Sequence, residues 1–209
     1  MQVDREVNRR KYDRELKRLV DQRLTLDSRG IFVLGSTRFP FVDLMFVPRH
    51  PLQIQIPGAV PPPGMNVPPG AVLVAELPSL ATRAFKAHFD LTDYDLRAPS
   101  LEFRDPWTDK PLIYAQMFRA LEFEKERKAH IVLIDDHPDT HKPFLCLRGI
   151  REYHEHPQHT GDEWLLYKDK MSLFSIVMSL WRVSIDLVHS QLAFAPNGIQ
   201  VLCVPEEKS

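Results

Sequence analysis

The rest of this chain is arranged around residues 137–164, which are H-P-D-T-H-K-P-F-L-C-L-R-G-I-R-E-Y-H-E-H-P-Q-H-T-G-D-E-W. This stretch holds five of the chain's nine histidines and one of its two cysteines. Glu152, His154 and His156 occur at every second position, and in an extended strand such side chains point to one face. With Cys146 on the preceding strand, they could close around a zinc ion. The candidate metal ligands are Cys146, Glu152, His154, His156 and His159.

The alternative interpretation of this stretch is a solvated polar insertion, because it also contains Pro157 and Gly161. The apolar run Pro143-Phe144-Leu145 stands directly before Cys146 and is typical of a buried segment. A solvated insertion has no need of such a run beside its cysteine. The sequence therefore favours a metal or catalytic site here.

Length and composition limit the number of domains, the kinds of partner and the cell compartment that we expect. A chain of 209 residues predicts one domain, 1–209, and its net charge of −1 gives no electrostatic case for nucleic acid. Two cysteines provide no disulfide framework, and the first residues lack the apolar core of a signal peptide. We therefore expect a cytoplasmic protein with no membrane contact.

The first half of the chain has the pattern of one helix followed by strands. Apolar residues at helical spacing predict an amphipathic helix over 3–24, whose charges form either a solvated face or a docking surface for a partner protein. Strands are expected where β-rich runs are bounded by glycine and proline. They are 31–34, 41–47, 52–56, 71–77, 85–91 and 101–103, and a stiff proline-rich loop occupies 57–70.

The second half combines helices with further strands. Tyr114, Met117, Phe118 and Leu121 recur at helical spacing and predict a helix over 111–129. A buried strand is expected at 131–134, and a terminal hairpin with Asn197-Gly198 at its turn. The apolar segment 171–189 carries one polar stripe that includes Arg182 and Asp186, which favours a long core helix over a membrane span. The fold class predicted is α+β, an antiparallel meander flanked by an N-terminal helix and this C-terminal helix.

Several motifs, taken in order, resemble ubiquitin-conjugating enzymes. Residues 92–103, T-D-Y-D-L-R-A-P-S-L-E-F, resemble the family pattern T-D-Y-P-F-x-P-P-x-V-x-F that follows its third strand. His137-Pro138-Asp139, Cys146-Leu147 and Trp164 then resemble the family's H-P-N, its catalytic Cys-Leu and its tryptophan before an apolar helix. Asp139 replaces an asparagine, and the cysteine-to-tryptophan segment is longer than in the family.

The resemblance implies an elaborated ubiquitin-conjugating fold with its core at about 85–189. The helix at 111–129 would be one insertion and the histidine-rich segment 148–163 another. The implied catalytic residues are Cys146, His137 and Asp139, and the implied partners are a ubiquitin-like protein and its activating enzyme.

The histidine-rich stretch also resembles a second, narrower family. Bacterial operons for ubiquitin-like conjugation encode a predicted metal-binding family with a Cys, Glu, His, His signature. Cys146, Glu152, His154 and His156 are the natural carriers of that signature, and His159 is the spare.

Three functions remain open at the level of sequence. The first is a conjugating-enzyme-like component of such a pathway in which Cys146, Glu152, His154 and His156 bind zinc, with the metal-bound state dominant at rest. The alternative is a cysteine-dependent transferase in which Cys146 forms a thioester with the ubiquitin-like protein. An ionised Asp139 cannot donate the hydrogen bond that an asparagine amide would supply to an oxyanion. The third possibility is a zinc hydrolase or a non-catalytic adaptor for a ubiquitin-like partner.

Overall fold

The computed structural model describes residues 3–47, 52–55, 74–77, 84–117, 120–124, 129–138, 140–156, 159, 163–186, 192–195 and 198–203. Asp139 and the predicted proline-rich loop 57–70 lie outside these residues. The architecture is α+β, with mainly antiparallel sheets and a few helices.

The predicted N-terminal helix is confirmed, with a break near its end. Helix α1 spans Arg5–Asp21 and α2 spans Arg23–Ser28. Asp4 caps α1, because its carboxylate accepts hydrogen bonds from the backbone N–H groups of Glu6 and Val7. The buried face of α1 includes Tyr12, whose hydroxyl donates to the Phe41 carbonyl at 3.0 Å.

Four of the predicted strands form one antiparallel sheet in the order β1-β2-β5-β6. Their bounds are Ile31–Val33, Phe41–Phe46, Phe85–Asp90 and Ser100–Arg104. The alternation of β6 buries Leu101 and Phe103 on the face that joins the core. Between β2 and β5, strands β3 (Leu52–Gln55) and β4 (Val74–Leu77) form a separate antiparallel pair.

The expected helix over 111–129 is wrong. Among the residues of this range that the structure describes, only Tyr114–Gln116 is helical, as a 3-10 turn, and Ala120–Glu124 is strand β7. β7 pairs with β8 (Ala129–Asp136) on one side and with β11 (Gly198–Cys203) on the other. A segment with neighbours on both sides satisfies its backbone in the sheet, and this tertiary pairing overrides the helical spacing of its side chains.

The second sheet has the order β10-β11-β7-β8-β9, and only its β11–β7 pair is parallel. β9 spans Pro143–Leu145 and forms an edge directly before Cys146. The terminal hairpin is confirmed as β10 (Leu192–Ala195) paired with β11. Strand β8 contains the predicted strand 131–134 and ends directly before His137.

The predicted C-terminal core helix is confirmed over its described length. α4 spans Leu173–Trp181, and a π-helical turn continues to Asp186. Ser172 caps α4, and the helix buries Leu173, Ile176, Val177 and Leu180, which share one face. None of the helices in the described ranges is long and apolar enough to span a bilayer.

Candidate functional site

Cys146 lies where the edge strand β9 gives way to the following loop. Its backbone N–H donates to the Leu133 carbonyl at 2.8 Å, so the ladder with β8 fixes its position. The side chain is half-buried. Burial raises the pKa of the Cys146 thiol, and the nearby Asp135 carboxylate raises it further. The resting group is therefore a thiol, which needs a base or a metal to become a thiolate.

His159 supplies a partner for that thiol. Its Nε2 lies 3.4 Å from Cys146 Sγ, within hydrogen-bond reach for sulfur. The His159 ring stacks on Tyr153, with centroids 3.9 Å apart and planes 20° apart. Two imidazole nitrogens, one facing the thiol, make His159 able to take its proton.

The expected extended strand carrying Glu152, His154 and His156 is wrong. Residues Arg151–Glu155 form a short helix, α3, so alternate side chains no longer share a face. The physical reason is a set of contacts to the segment before β6. Arg151 donates from its backbone to the Pro99 carbonyl, and its side chain donates to the Ala98 and Thr92 carbonyls at 3.1 and 2.9 Å.

Glu152 also holds α3 in place, through contacts with the start of β6. Its carboxylate accepts hydrogen bonds from the Ser100 hydroxyl and, at 3.2 Å, from the Leu101 N–H. Burial raises the pKa of Glu152, although the hydrogen bond from Ser100 partly offsets it. The structure therefore directs Glu152 towards β6.

His154 and His156 lie in different surroundings. The His154 Nε2 contacts the Arg148 carbonyl, and its ring meets Trp164 edge-on at 6.1 Å. The His156 ring stacks on Phe144 at 5.2 Å, and its centroid lies 5.3 Å from that of His159. Of these two histidines, His156 is the one beside the Cys146–His159 pair.

His137 stands at the other side of His156, with ring centroids 6.0 Å apart. Its backbone N–H donates to the Lys142 carbonyl at 3.0 Å, which closes the loop between β8 and β9. His137 therefore holds the turn that leads into β9.

The fit of a zinc ion can be tested against these positions. As placed, no three His, Cys, Asp or Glu side chains of the described ranges form a group that could hold a metal. The Cys146–His159 separation of 3.4 Å nevertheless matches the edge of a tetrahedral zinc site, which is about 3.5 Å for sulfur and nitrogen ligands. Cys146 and His159 fit as two ligands, and His156, whose ring lies 5.3 Å from that of His159, is a candidate third. Glu152 and His154 contact other partners.

A cavity of about 290 Å³ lies between β6, β9 and α3. Its apolar lining includes Phe103, Phe144 and Leu145, and its polar lining includes Lys142 and Glu152. Leu145 directly precedes Cys146, so the cavity reaches the end of the strand that leads to the thiol.

Tyr94 and Trp164 connect the two motif-bearing stretches. Tyr94 is 2% exposed, and its ring centroid lies 6.3 Å from that of Trp164. The Trp164 indole N–H donates to the Asp95 carbonyl at 2.9 Å. This contact brings the end of the site stretch onto the turn that precedes β6.

Sequence reasoning missed Tyr153 and ranked His159 as a spare. Tyr153 and His159 stand three residues before and three residues after His156, so the sequence places all three close together in the chain. The stacking of Tyr153 on His159, however, depends on the helical turn of α3, which the sequence did not predict. Asp139 cannot be placed, because it lies outside the described residues.

Comparison with known proteins identifies the relatives of this chain. An uncharacterized protein, y4jH, of Sinorhizobium fredii is 31% identical over 118 residues, which cover 48% of this chain and 58% of that relative. The chain thus matches less than two thirds of the relative's length. The profile of the Y4jH-like family matches residues 68–187, a span that includes every candidate site residue. The chain belongs to the Y4jH family.

Proposed function

We propose that this protein is a cysteine-dependent component of a bacterial ubiquitin-like conjugation pathway. Cys146 accepts the C-terminus of a ubiquitin-like protein as a thioester, and His159 is its base. The observation that carries the proposal is the 3.4 Å contact between Cys146 Sγ and His159 Nε2. Nucleophile and base within hydrogen-bond reach are the signature of covalent catalysis.

The arrangement of the elements supports an elaborated ubiquitin-conjugating fold. A helix precedes a four-stranded antiparallel meander, and Thr92–Tyr94 follow its third strand, as the pattern does in that family. Trp164 and then α4 come after the cysteine in the same order. In this proposal the core at about 85–189 carries the inserted strand β7 where the sequence predicted a helix, and β7 pairs with β8, which contains the predicted strand 131–134.

The proposed reaction is an acyl exchange. The Cys146 thiol proton moves to His159 Nε2, and Sγ attacks the activated carboxyl carbon of the ubiquitin-like protein. The C–S bond forms, and the bond to the carrier on the activating enzyme breaks, with the electron pair leaving on that carrier. His159 matters because burial raises the pKa of the Cys146 thiol.

The test is to mix the purified chain with ATP and the activating enzyme and ubiquitin-like protein encoded nearest its gene. We expect an adduct that reductant removes and that Cys146→Ala abolishes. His159→Ala should slow adduct formation by about 10²–10⁴-fold, which is the usual contribution of a general base. His154→Ala is the matched control, because this histidine contacts the Arg148 carbonyl and should leave the rate unchanged. Failure of wild type to form an adduct, with an activating enzyme shown to be active, would refute the proposal.

A second candidate function is zinc binding by Cys146, His156 and His159. Two observations favour it, the tetrahedral edge noted above and the 5.3 Å separation of the two histidine rings, since imidazoles sharing one zinc have centroids about 5 Å apart. Zinc bound there would hold the thiolate charge and suppress its nucleophilicity.

Metal analysis separates the two candidates. Zinc binding predicts about one zinc per chain, lost in the double variant His156→Ala with His159→Ala and retained in His154→Ala. If the thiolate is a zinc ligand, the adduct should form only after a chelator strips the metal. An equal adduct with zinc retained would exclude Cys146 as a ligand.

A further inference from the structure

A second cavity, of about 360 Å³, lies away from Cys146, between α1 and the start of α4. Its volume is in the range that small-molecule sites occupy. The lining is rich in cationic side chains contributed by two separate segments of the chain. They are Arg14, Arg18, Lys168 and Lys170.

A buried tyrosine also lines this cavity. Tyr94 as a whole is 2% exposed, and its hydroxyl makes no hydrogen bond within the described residues. The hydroxyl is not one of their fully buried unpartnered atoms, so it opens into the cavity. The Tyr12 hydroxyl donates to the Phe41 carbonyl, whereas the Tyr94 hydroxyl is able to donate to a ligand in the cavity. Burial raises the pKa of Tyr94, and the nearby Glu15 carboxylate raises it further, so the hydroxyl stays protonated and can donate.

The carboxylates that line this cavity do not neutralise all of its cationic side chains. Glu15, 1% exposed, already accepts from the Leu173 N–H at 3.0 Å and from Arg18 at 3.1 Å. Asp95 is paired with Lys11 at 3.2 Å. Asp169 is the remaining carboxylate in the lining. The charge left to a ligand is therefore positive.

We propose that this cavity binds a phosphate group of a small molecule, with the Tyr94 hydroxyl as a donor to it. Arg14 and Arg18 are about half exposed, so each can turn its guanidinium to a phosphate while Glu15 keeps its contact with α4. Lys168 and Lys170 add positive charge from a second segment of the chain. The first N–H of α4 already serves Glu15, so the ligand's donors are side chains.

The position of Tyr94 provides an optical readout of occupancy. Its ring centroid lies 6.3 Å from that of Trp164, and the neighbouring Asp95 carbonyl accepts the indole N–H. A phosphate held by Tyr94 should therefore change the fluorescence of Trp164, which Trp164→Phe would remove without removing the cavity.

The experiment titrates the full chain with inorganic phosphate and with adenosine monophosphate, followed by calorimetry and fluorescence. Tyr94→Phe keeps the ring and should weaken binding about tenfold to a hundredfold, the effect of one hydrogen bond to a charged group. The ligand-free melting temperature of Tyr94→Phe should be unchanged or higher, because no protein partner is lost.

Tyr12→Phe is the matched control. It loses the bond to the Phe41 carbonyl, so its melting temperature should fall while its phosphate affinity stays that of wild type. Arg10→Gln controls for general surface charge, because Arg10 lies on α1 and is bonded to Glu6. Tighter binding of the monoester would identify an organic phosphate as the ligand, and equal binding would identify free phosphate. Absence of binding at millimolar phosphate, or equal affinity in wild type and Tyr94→Phe, would overturn the proposal.

Discussion

Replacement of Glu15 by alanine tests how α1 is attached to the rest of the fold. Glu15 is 1% exposed, although it stands in a highly charged helix. One carboxylate oxygen accepts the Leu173 N–H at the start of α4, and the other contacts Arg14 and Arg18 at 3.4 and 3.1 Å. One side chain thus joins the two helices.

The magnitude follows from what Glu15→Ala leaves behind. An unpaired buried Leu173 N–H costs about 1–3 kcal/mol, and one lost buried methylene adds about 0.8 kcal/mol. Arg14 and Arg18 are half exposed and regain water, so their lost ion pairs add little. We expect a loss of about 2–4 kcal/mol in unfolding free energy, which corresponds to about 4–16 °C in melting temperature for a chain of this size.

The assay is thermal and urea unfolding of wild type, Glu15→Ala and the control Glu6→Ala. Glu6 is on the same helix but is exposed and bonded only on the surface to Arg10, so its removal should change stability by less than about 0.5 kcal/mol. A melting temperature for Glu15→Ala that matches Glu6→Ala would refute the attachment of α1 through Glu15.

Four further changes have defined outcomes. Tyr94→Ala should cost about 3–5 kcal/mol, because it truncates a buried aromatic, and an unaltered melting temperature would contradict this packing. Gly149→Ala places a Cβ 2.7 Å from Ile176 Cγ1 and should cost about 1–3 kcal/mol in urea unfolding; a neutral result would mean that α4 gives way. Alkylation of Cys146 by iodoacetamide should be slow at neutral pH and accelerate only above the ordinary thiol range, because burial raises its pKa; fast alkylation at pH 7 would argue against a resting thiol. Burial alone would raise the pKa of Asp43, but hydrogen bonds from Ser36 and His88 outweigh it and lower the pKa, so its stabilisation is present at neutral pH and is lost as pH falls through the folded-state value. The stabilities of wild type and Asp43→Asn should therefore converge below pH 3.8, the ordinary value, and a constant difference would exclude this linkage.

Local patterns predicted the elements whose pairing is also local. The alternation in 85–91 and 101–103 gives β5 and β6, because each buries one face against the same core. The polar stripe in 171–189 predicts α4 in the same way. Residues at helical spacing share one face, and α4 buries its apolar face against the core. The prediction failed at Ala120–Glu124, where the decisive partner β11 comes some 80 residues later in the chain.

By itself, the sequence determined the α+β class, the positions of most strands and both main helices, and the stretch in which the candidate site lies. These depend on side-chain periodicity and on residue types, which are properties of neighbours in the chain. Only the tertiary structure decided which residues meet. Arg151 binds the segment before β6 and Glu152 binds the start of β6. These contacts turn α3 so that His159 lies beside Cys146 while His154 faces the Arg148 carbonyl. The physical reason is that hydrogen bonds and ring contacts between distant segments fix the direction of a side chain. The spacing of residues within one segment does not predict these contacts.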